Sequence, residues 1–494
     1  MHTQIFTKSA ISYAMRQLAY RAGVSEAVLN AAPATAPGFE SLGVKVHYDF
    51  PDRVRAGERA IIIVPCREEA WRELIEPRDA GLEWLPTDRL VTEGGRLPFS
   101  DPVPVLFQGA GREDGDRPFV ERRKDGAVIF HADILAATFF MLSRWEETVV
   151  PVRDLHGRFP ASACVAYREG FLDRPVIDEY ALILQCWLKA LLPGWLPKPR
   201  QFSLRLSHDV DMVRSFSGLY RTTRAFAGDI VKRRSLRKAR ETVRTAIRSS
   251  ITPEDDPIYG NILELADHSE RYGLKSSFYF MAADEGPNDS GYDPAEPLVR
   301  RCIDEIARRG HEIGFHPSYR ASFDTAVWQK EFARLSAVAN GIPIAGGRQH
   351  FLRFRAPDTW RLWEQAGLSY DSTLSYADCE GFRCGTCLPF RPFDVGADRE
   401  LSVTEIPLIV MDGTLCQYRG LTPMEGEARI LALADQCRRV GGVFTLLWHN
   451  SSLTGEWESW APVYRRVVGK LAGWETKSAP CSFSLRNLQG MRVS

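Results

Sequence analysis

The chain has 494 residues, too many for one ordinary domain, so two or three units are expected. Its 63 basic residues balance 63 acidic ones, which sets aside the nucleic-acid binders, since these usually carry a basic excess. No stretch approaches the ~20 apolar residues that span a bilayer, and ten cysteines without regular spacing suit reduced thiols, so a cytoplasmic protein is expected.

The first residues, MHTQIFTKSAISYAMRQLAYRAG, lack a charged start, an apolar run and a small-residue cleavage site. They read as an amphipathic helix rather than a signal peptide. Over residues 1–200 the strand-like runs VKVHYDF, AIIIVP and VPVLFQG alternate with helical segments. Apolar positions three and four apart predict helices at ADILAATFFMLSRWEETVV and IDEYALILQCWLKALL. The proline-rich LPGWLPKPRQ (192–201) then breaks the period and reads as a linker.

From residue 202 the rhythm becomes regular strand–helix alternation. The predicted strands are FSLRLSHDVD, KSSFYFM, HEIGFH, QHFLRFR, LSYDST, LSVTEIPLIVMD and GGVFTLLWHN, with helical patterns such as PLVRRCIDEIARRG and EARILALADQCRRVGG between them. Repeated β–α units predict a parallel sheet, open or closed into a barrel. The expected organisation is a smaller α/β domain over 1–200 and a β/α unit over 201–494. Polar residues crowd the carboxyl ends of the later strands, where ligand sites of such folds lie.

One insertion departs from the rhythm. The segment 221–248, within YRTTRAFAGDIVKRRSLRKARETVRTAIRSS, is strongly basic with a few apolar residues at helical spacing. It reads first as a solvated helix on the rim. The second reading is peripheral contact with an anionic lipid surface or an anionic glycan.

The chemistry gathers at strand ends. In SHDVD alternate side chains share a face, so Asp209 and Asp211 point together while His208 and Val210 point the other way. Two carboxylates at one strand end can divide labour, one binding a cation and one acting as base. His316 ends HEIGFH and His449 ends LLWH, and imidazole serves equally as metal ligand and proton donor. A lone histidine is more often structural, and His47, His131 and His156 are read so.

These residues resemble the motifs of the polysaccharide deacetylases of carbohydrate esterase family 4. SHDVD resembles the opening Asp pair, GHEIGFH the second motif, FRAPDTW the Arg-x-Pro motif and LLWHN the last motif, in the family's order over roughly 202–450. GLSYDST resembles the branch that includes allantoinase-like amidases. The whole chain, with LSRWEE, HPSY and GFRCGTC, also resembles a bacterial group with an extra α/β domain in front. The resemblance implies a distorted (β/α) barrel of about seven strands and a metal-dependent hydrolase that removes an N-acetyl group from a sugar of a surface polysaccharide or its precursor.

The resemblance also implies roles. Asp209 would be the base, His449 the acid that protonates the departing amine, and Arg355 the cation that keeps Asp209 ionised. Asp211 and His316 would hold a divalent metal, with zinc expected. Family members carry a second histidine four residues after the first, where this chain has Arg320. A catalytic zinc normally has three protein ligands, and His350 in GGRQHFLRF is the expected replacement. Arg320 is then left to bind an anionic substrate group, and Tyr319, Asp371, Arg383 and Trp448 are further expected substrate contacts. A catalytically silent glycan-binding barrel and an amidohydrolase of small non-sugar amides are the alternatives. Cys379, Cys384 and Cys387, with Cys416 further on, mimic the spacing of an iron–sulfur ligand run, but plain thiols are the expected reading.

Overall fold

The computed structural model describes residues 5–31, 39, 42–76, 81–91, 93–111, 118–215, 223, 226–228, 230–231, 234–289 and 291–475. Strands β1 (Lys45–Tyr48), β2 (Ala60–Ile63), β5 (Val120–Arg122) and β6 (Val128–Phe130) form a sheet in the order β1-β2-β6-β5. Strands β1, β2 and β6 run parallel, and β5 pairs antiparallel to β6. The sequence AIII of β2 is buried at every position, as a central strand covered on both faces requires. A small hairpin of β3 (Glu83–Leu85) and β4 (Val103–Val105) stands apart.

The segment predicted as one helix around residue 140 is two, Ile134–Ser143 and Trp145–Val149. Between them Arg144 adopts a left-handed backbone, φ 53°, a conformation that costs a non-glycine residue energy. Its side chain offers the compensation. The fully buried guanidinium donates to Glu146, Glu147, Tyr376 Oη and the Arg383 carbonyl. Helix Ile134–Ser143 is buried all round, as its apolar sequence ILAATFFMLS demands.

The second sheet has eight strands. They are β7 (Ser203–Val210), β8 (Ser277–Phe280), β9 (Glu312–Phe315), β10 (Gly346–Gly347), β11 (Tyr370–Asp371), β14 (Thr404–Glu405), β15 (Val410–Met411) and β16 (Val443–Leu447). Their order is β14-β11-β10-β9-β8-β7-β16-β15, and all ladders are parallel. Among the described residues no ladder joins the edge strands β14 and β15, and the count is eight rather than seven. A two-stranded ribbon of β12 (Phe393–Asp394) and β13 (Arg399–Glu400) lies outside the sheet.

Register decides what meets at the carboxyl edge. Val210 pairs with Phe280 and Phe280 with Phe315, so Asp209–Asp211 and His316 reach the same level. Leu447 pairs with Ser207, which carries His449 to the level of Asp209. The predicted strand QHFLRFR is instead a tight turn at His350–Leu352. The strand at that place is the preceding glycine pair of β10.

The two sheets share one continuous apolar core. Residues 192–201 are no slack tether, because Lys198 N donates to the Gly23 carbonyl and Arg200 stacks 4.3 Å from the Tyr20 ring centroid. The cysteine-bearing segment 376–390 is buried against the N-terminal half: Glu147 pairs with Arg383, and Asp178 accepts from Thr386 Oγ1 and Cys387 N. Cys379, Cys384 and Cys387 are buried free thiols. Burial pushes the Cys379 thiol up to about 11 and the other two higher. No group of thiols with metal-holding geometry occurs among the described residues.

Candidate metal centre

Asp211, His316 and His350 are the single group of three or more acidic, histidine or cysteine side chains among the described residues that could hold a metal ion. One ligand atom from each lies within 4.8 Å of the others. They come from the turns after β7, β9 and β10, so parallel strands within one stretch of the sheet, with β8 between β7 and β9, deliver all three to its carboxyl edge.

Each imidazole is aimed by its other nitrogen. His316 Nδ1 donates to the Arg348 carbonyl at 2.6 Å, which leaves Nε2 as a lone-pair ligand. His350 Nδ1 lies 2.8 Å from Asp289 Oδ1, and Tyr319 N donates to the same oxygen. The sharp turn through Phe351 and Leu352, both at positive φ, swings His350 back over the site. Nε2 of His316 and Oδ1 of Asp211 are buried, 3.2 Å apart and without a hydrogen-bond partner. Buried polar atoms are nearly always satisfied, so two such orphans facing a third ligand suit a cation. Two imidazoles and one carboxylate match the donor set of a catalytic divalent metal.

Asp209 sits beside this group with its Oδ2 3.8 Å from His316 Nε2. Its other oxygen accepts from Arg348 Nη1 at 2.8 Å, and both side chains are buried. Arg348 is held in turn by the Ser372 carbonyl and the Ser207 and Ser372 hydroxyls. Across the site His449 Nε2 stands 3.8 Å from Asp211 Oδ2, while its Nδ1 is 2.6 Å from Asp412 Oδ1.

The electrostatics follow from these pairs. Burial would raise the Asp211 carboxyl, but His350, His316 and His449 hold it well below the carboxylate range. Burial would lower His316, but Asp209 and Asp211 raise it. Burial likewise opposes the charged form of His449, yet Asp412, Asp211 and Asp209 carry it up to about 10. That imidazole is protonated at neutral pH.

Several sequence expectations need correction. The cation at Asp209 is Arg348; Arg355 is exposed and lies over the Phe323 ring at 4.5 Å. The side chain of Arg320, expected as a substrate contact, is 77% exposed and lies 3.8 Å from Asp324, an arrangement that leaves that expectation untouched. Asp371, Arg383 and Trp448 are buried and cannot touch a substrate as the chain stands. Asp371 is bound by Thr373 and lies beside Glu405, and burial raises it to about 7. Arg383 is locked to Glu147, and Trp448 packs on Tyr464 and Trp460. Tyr319 is half-buried next to the site, with Arg353 stacked on its ring at 3.8 Å and its hydroxyl near His156.

Three residues went unread. Arg348 hid in the same GGRQHF string as His350. Asp412 ends LSVTEIPLIVMD and was available by the strand-end rule. Asp289 lies in a loop with no periodic signal.

Residues 90–193 match the profile of a family of unknown function, DUF7033. Among solved structures the chain is similar to a "putative polysaccharide deacetylase from Mycobacterium smegmatis", at 17% identity and a TM-score of 0.36, over 57% of this chain and 87% of that one. No curated protein matches the chain.

Proposed function

We propose that the chain is a metal-dependent hydrolase that removes an N-acetyl group from a sugar of a surface polysaccharide or its precursor. The eight parallel strands are read as a distorted (β/α) barrel over 201–494, behind an α/β unit over 1–200. The observation that carries the reading is the convergence of a ligand triad with an arginine-paired carboxylate on one side and a carboxylate-backed histidine on the other. The sugar substrate rests on the likeness of the strand-end motifs to those of polysaccharide deacetylases.

Asp211, His316 and His350 would hold the ion, zinc by preference for two imidazoles and a carboxylate. When bound, a divalent ion polarises an acyl oxygen and brings the pKa of water down to about 7. Asp209, paired with the Arg348 guanidinium, takes the proton from the attacking water. His449, protonated through Asp412, gives its proton to the amine as the carbon–nitrogen bond breaks. A carboxylate paired with a cation and an imidazole backed by a carboxylate are the surroundings that a base and an acid need at one site.

A silent glycan-binding barrel would have no use for this division of labour. The test is acetate release from N-acetylated sugars, measured with zinc-loaded and chelated protein. Metal bound at the triad without acetate release from any N-acetylated sugar would leave the hydrolase of small amides as the better reading.

A further inference from the structure

We propose that the basic helix Leu236–Ile251 is a docking surface for an anionic phospholipid bilayer. The inference is independent of the metal chemistry. Residues 221–251 contain ten basic residues against Asp229 and Glu241. The described part of this segment also holds a concentration of exposed large apolar side chains: Phe226, Ile230, Val231, Leu236, Val243, Ile247 and Ile251.

On the helix the arrangement is ordered. Leu236, Val243 and Ile247 are spaced by seven and four, so they form one stripe, and they are 79%, 39% and 56% exposed. Arg237, Arg240, Arg244 and Arg248, spaced by three and four, form a second exposed stripe beside it. Ser249, on the far side from both stripes, is buried, and so is the small Ala239 at the margin of the apolar stripe. Arg248 has a carboxylate partner in Asp255 at 3.4 Å, both of them well exposed.

A merely solvated helix turns polar residues outward. Here the outward face joins aliphatic side chains to arginines. That is the pattern of a helix lying in a lipid interface, its apolar stripe among the acyl chains and its cations at the phosphates. A soluble polyanion would use the arginines and leave the aliphatic stripe idle. A second copy of the chain would bring ten like charges against ten.

The helix is also anchored where docking has a consequence. The Asp256 carboxylate accepts from Ser215 N at 3.0 Å, closing the base of the excursion. Ser215 lies four residues after Asp211. The docking surface is therefore rooted at the carboxyl edge of the sheet, the edge that carries the metal ligands.

The test is co-sedimentation of the full chain with phosphatidylcholine vesicles, with and without phosphatidylglycerol. Binding is expected only with the anionic lipid, weakening as salt is raised. The charge variant Arg240→Glu/Arg244→Glu should lose about fivefold or more per position. The apolar variant Val243→Ser/Ile247→Ser should lose binding at unchanged charge. All four positions are exposed, and unaltered thermal unfolding checks that the variants fold. Absence of vesicle binding by the parent chain overturns the proposal. So does binding that the apolar variant leaves intact and that heparin matches, since that marks a polyanion surface. A parent chain that is dimeric, and becomes monomeric in the apolar variant without vesicles, overturns it in favour of self-association.

Discussion

Replacing Arg348 by methionine separates the arginine that the motif suggests from the one that the fold uses. The Arg348 guanidinium is fully buried and donates to Asp209, Ser207 Oγ and both oxygens of Ser372, and it lies 5.0 Å from the Tyr279 ring centroid. Methionine keeps the packing volume and deletes the charge. The Asp209 side chain, 3% exposed, is then left as an anion without its cation. Removing one partner of a buried pair costs about 3–5 kcal/mol, and this substitution should fall in that range. Arg355→Met, at an exposed position with only an aromatic contact, should stay within about 0.5 kcal/mol. Denaturant unfolding of both variants gives the comparison. The double variant Arg348→Met/Asp209→Asn should recover part of the loss, because no uncompensated charge remains. If Arg348→Met costs under about 1 kcal/mol, or the double variant costs the full sum of the singles, the pair does not hold Asp209 in the way argued.

Other outcomes follow from the same geometry. Asp209→Asn should abolish acetate release while zinc content, read by elemental analysis, stays near the parent value, because the change removes only the basic lone pair. His350→Ala should lower metal content, whereas His311→Ala should not, because His311 is buried just before β9, bonded to Ser276 N and outside the ligand group; both are checked for folding. Asp289→Asn should weaken zinc about 10–100-fold in chelator competition, with Asp289→Glu restoring part of it, since a carboxylate behind a ligating imidazole orients that ligand. His208 is buried with its pKa lowered to about 4 by burial, while the unfolded value is near 6.5. The unfolded chain therefore binds the extra proton between those values, and stability should fall by about 3 kcal/mol as pH drops from about 6.5 to about 4. His208→Gln should flatten that limb of the denaturant-unfolding profile; an unchanged slope would sink the assignment.

Strand parity put Asp209 and Asp211 on one side and turned His208 away. The structure agrees, with His208 packed on Phe278 and bonded to the Trp448 carbonyl. Histidines at strand ends were legible for the same reason, because a strand end is marked by the apolar run before it. The failure at Arg348 has an equally local cause. Strand β10 is only Gly346–Gly347, where a side chain would strike the carbonyls of Tyr370 and Phe315. Glycine carries no strand signal, so the apolar FLRF after it looked like the strand and drew attention to Arg355. Burial of Asp371, Arg383 and Trp448 was not legible, because it depends on distant partners. Glu147 is 236 positions from Arg383.

That distance has a genetic consequence. Glu147 and Arg383 are both buried, and their bidentate pairing ties the N-terminal half to the loop that follows β11. A fragment starting near residue 201 would keep the metal ligands and the base, yet present Arg383 as a cation with no counter-ion and expose the apolar side chains that line the shared core. The two halves are therefore not interchangeable cassettes. A gene fusion that swapped either one for a foreign counterpart would have to bring the matching half of this charge pair with it.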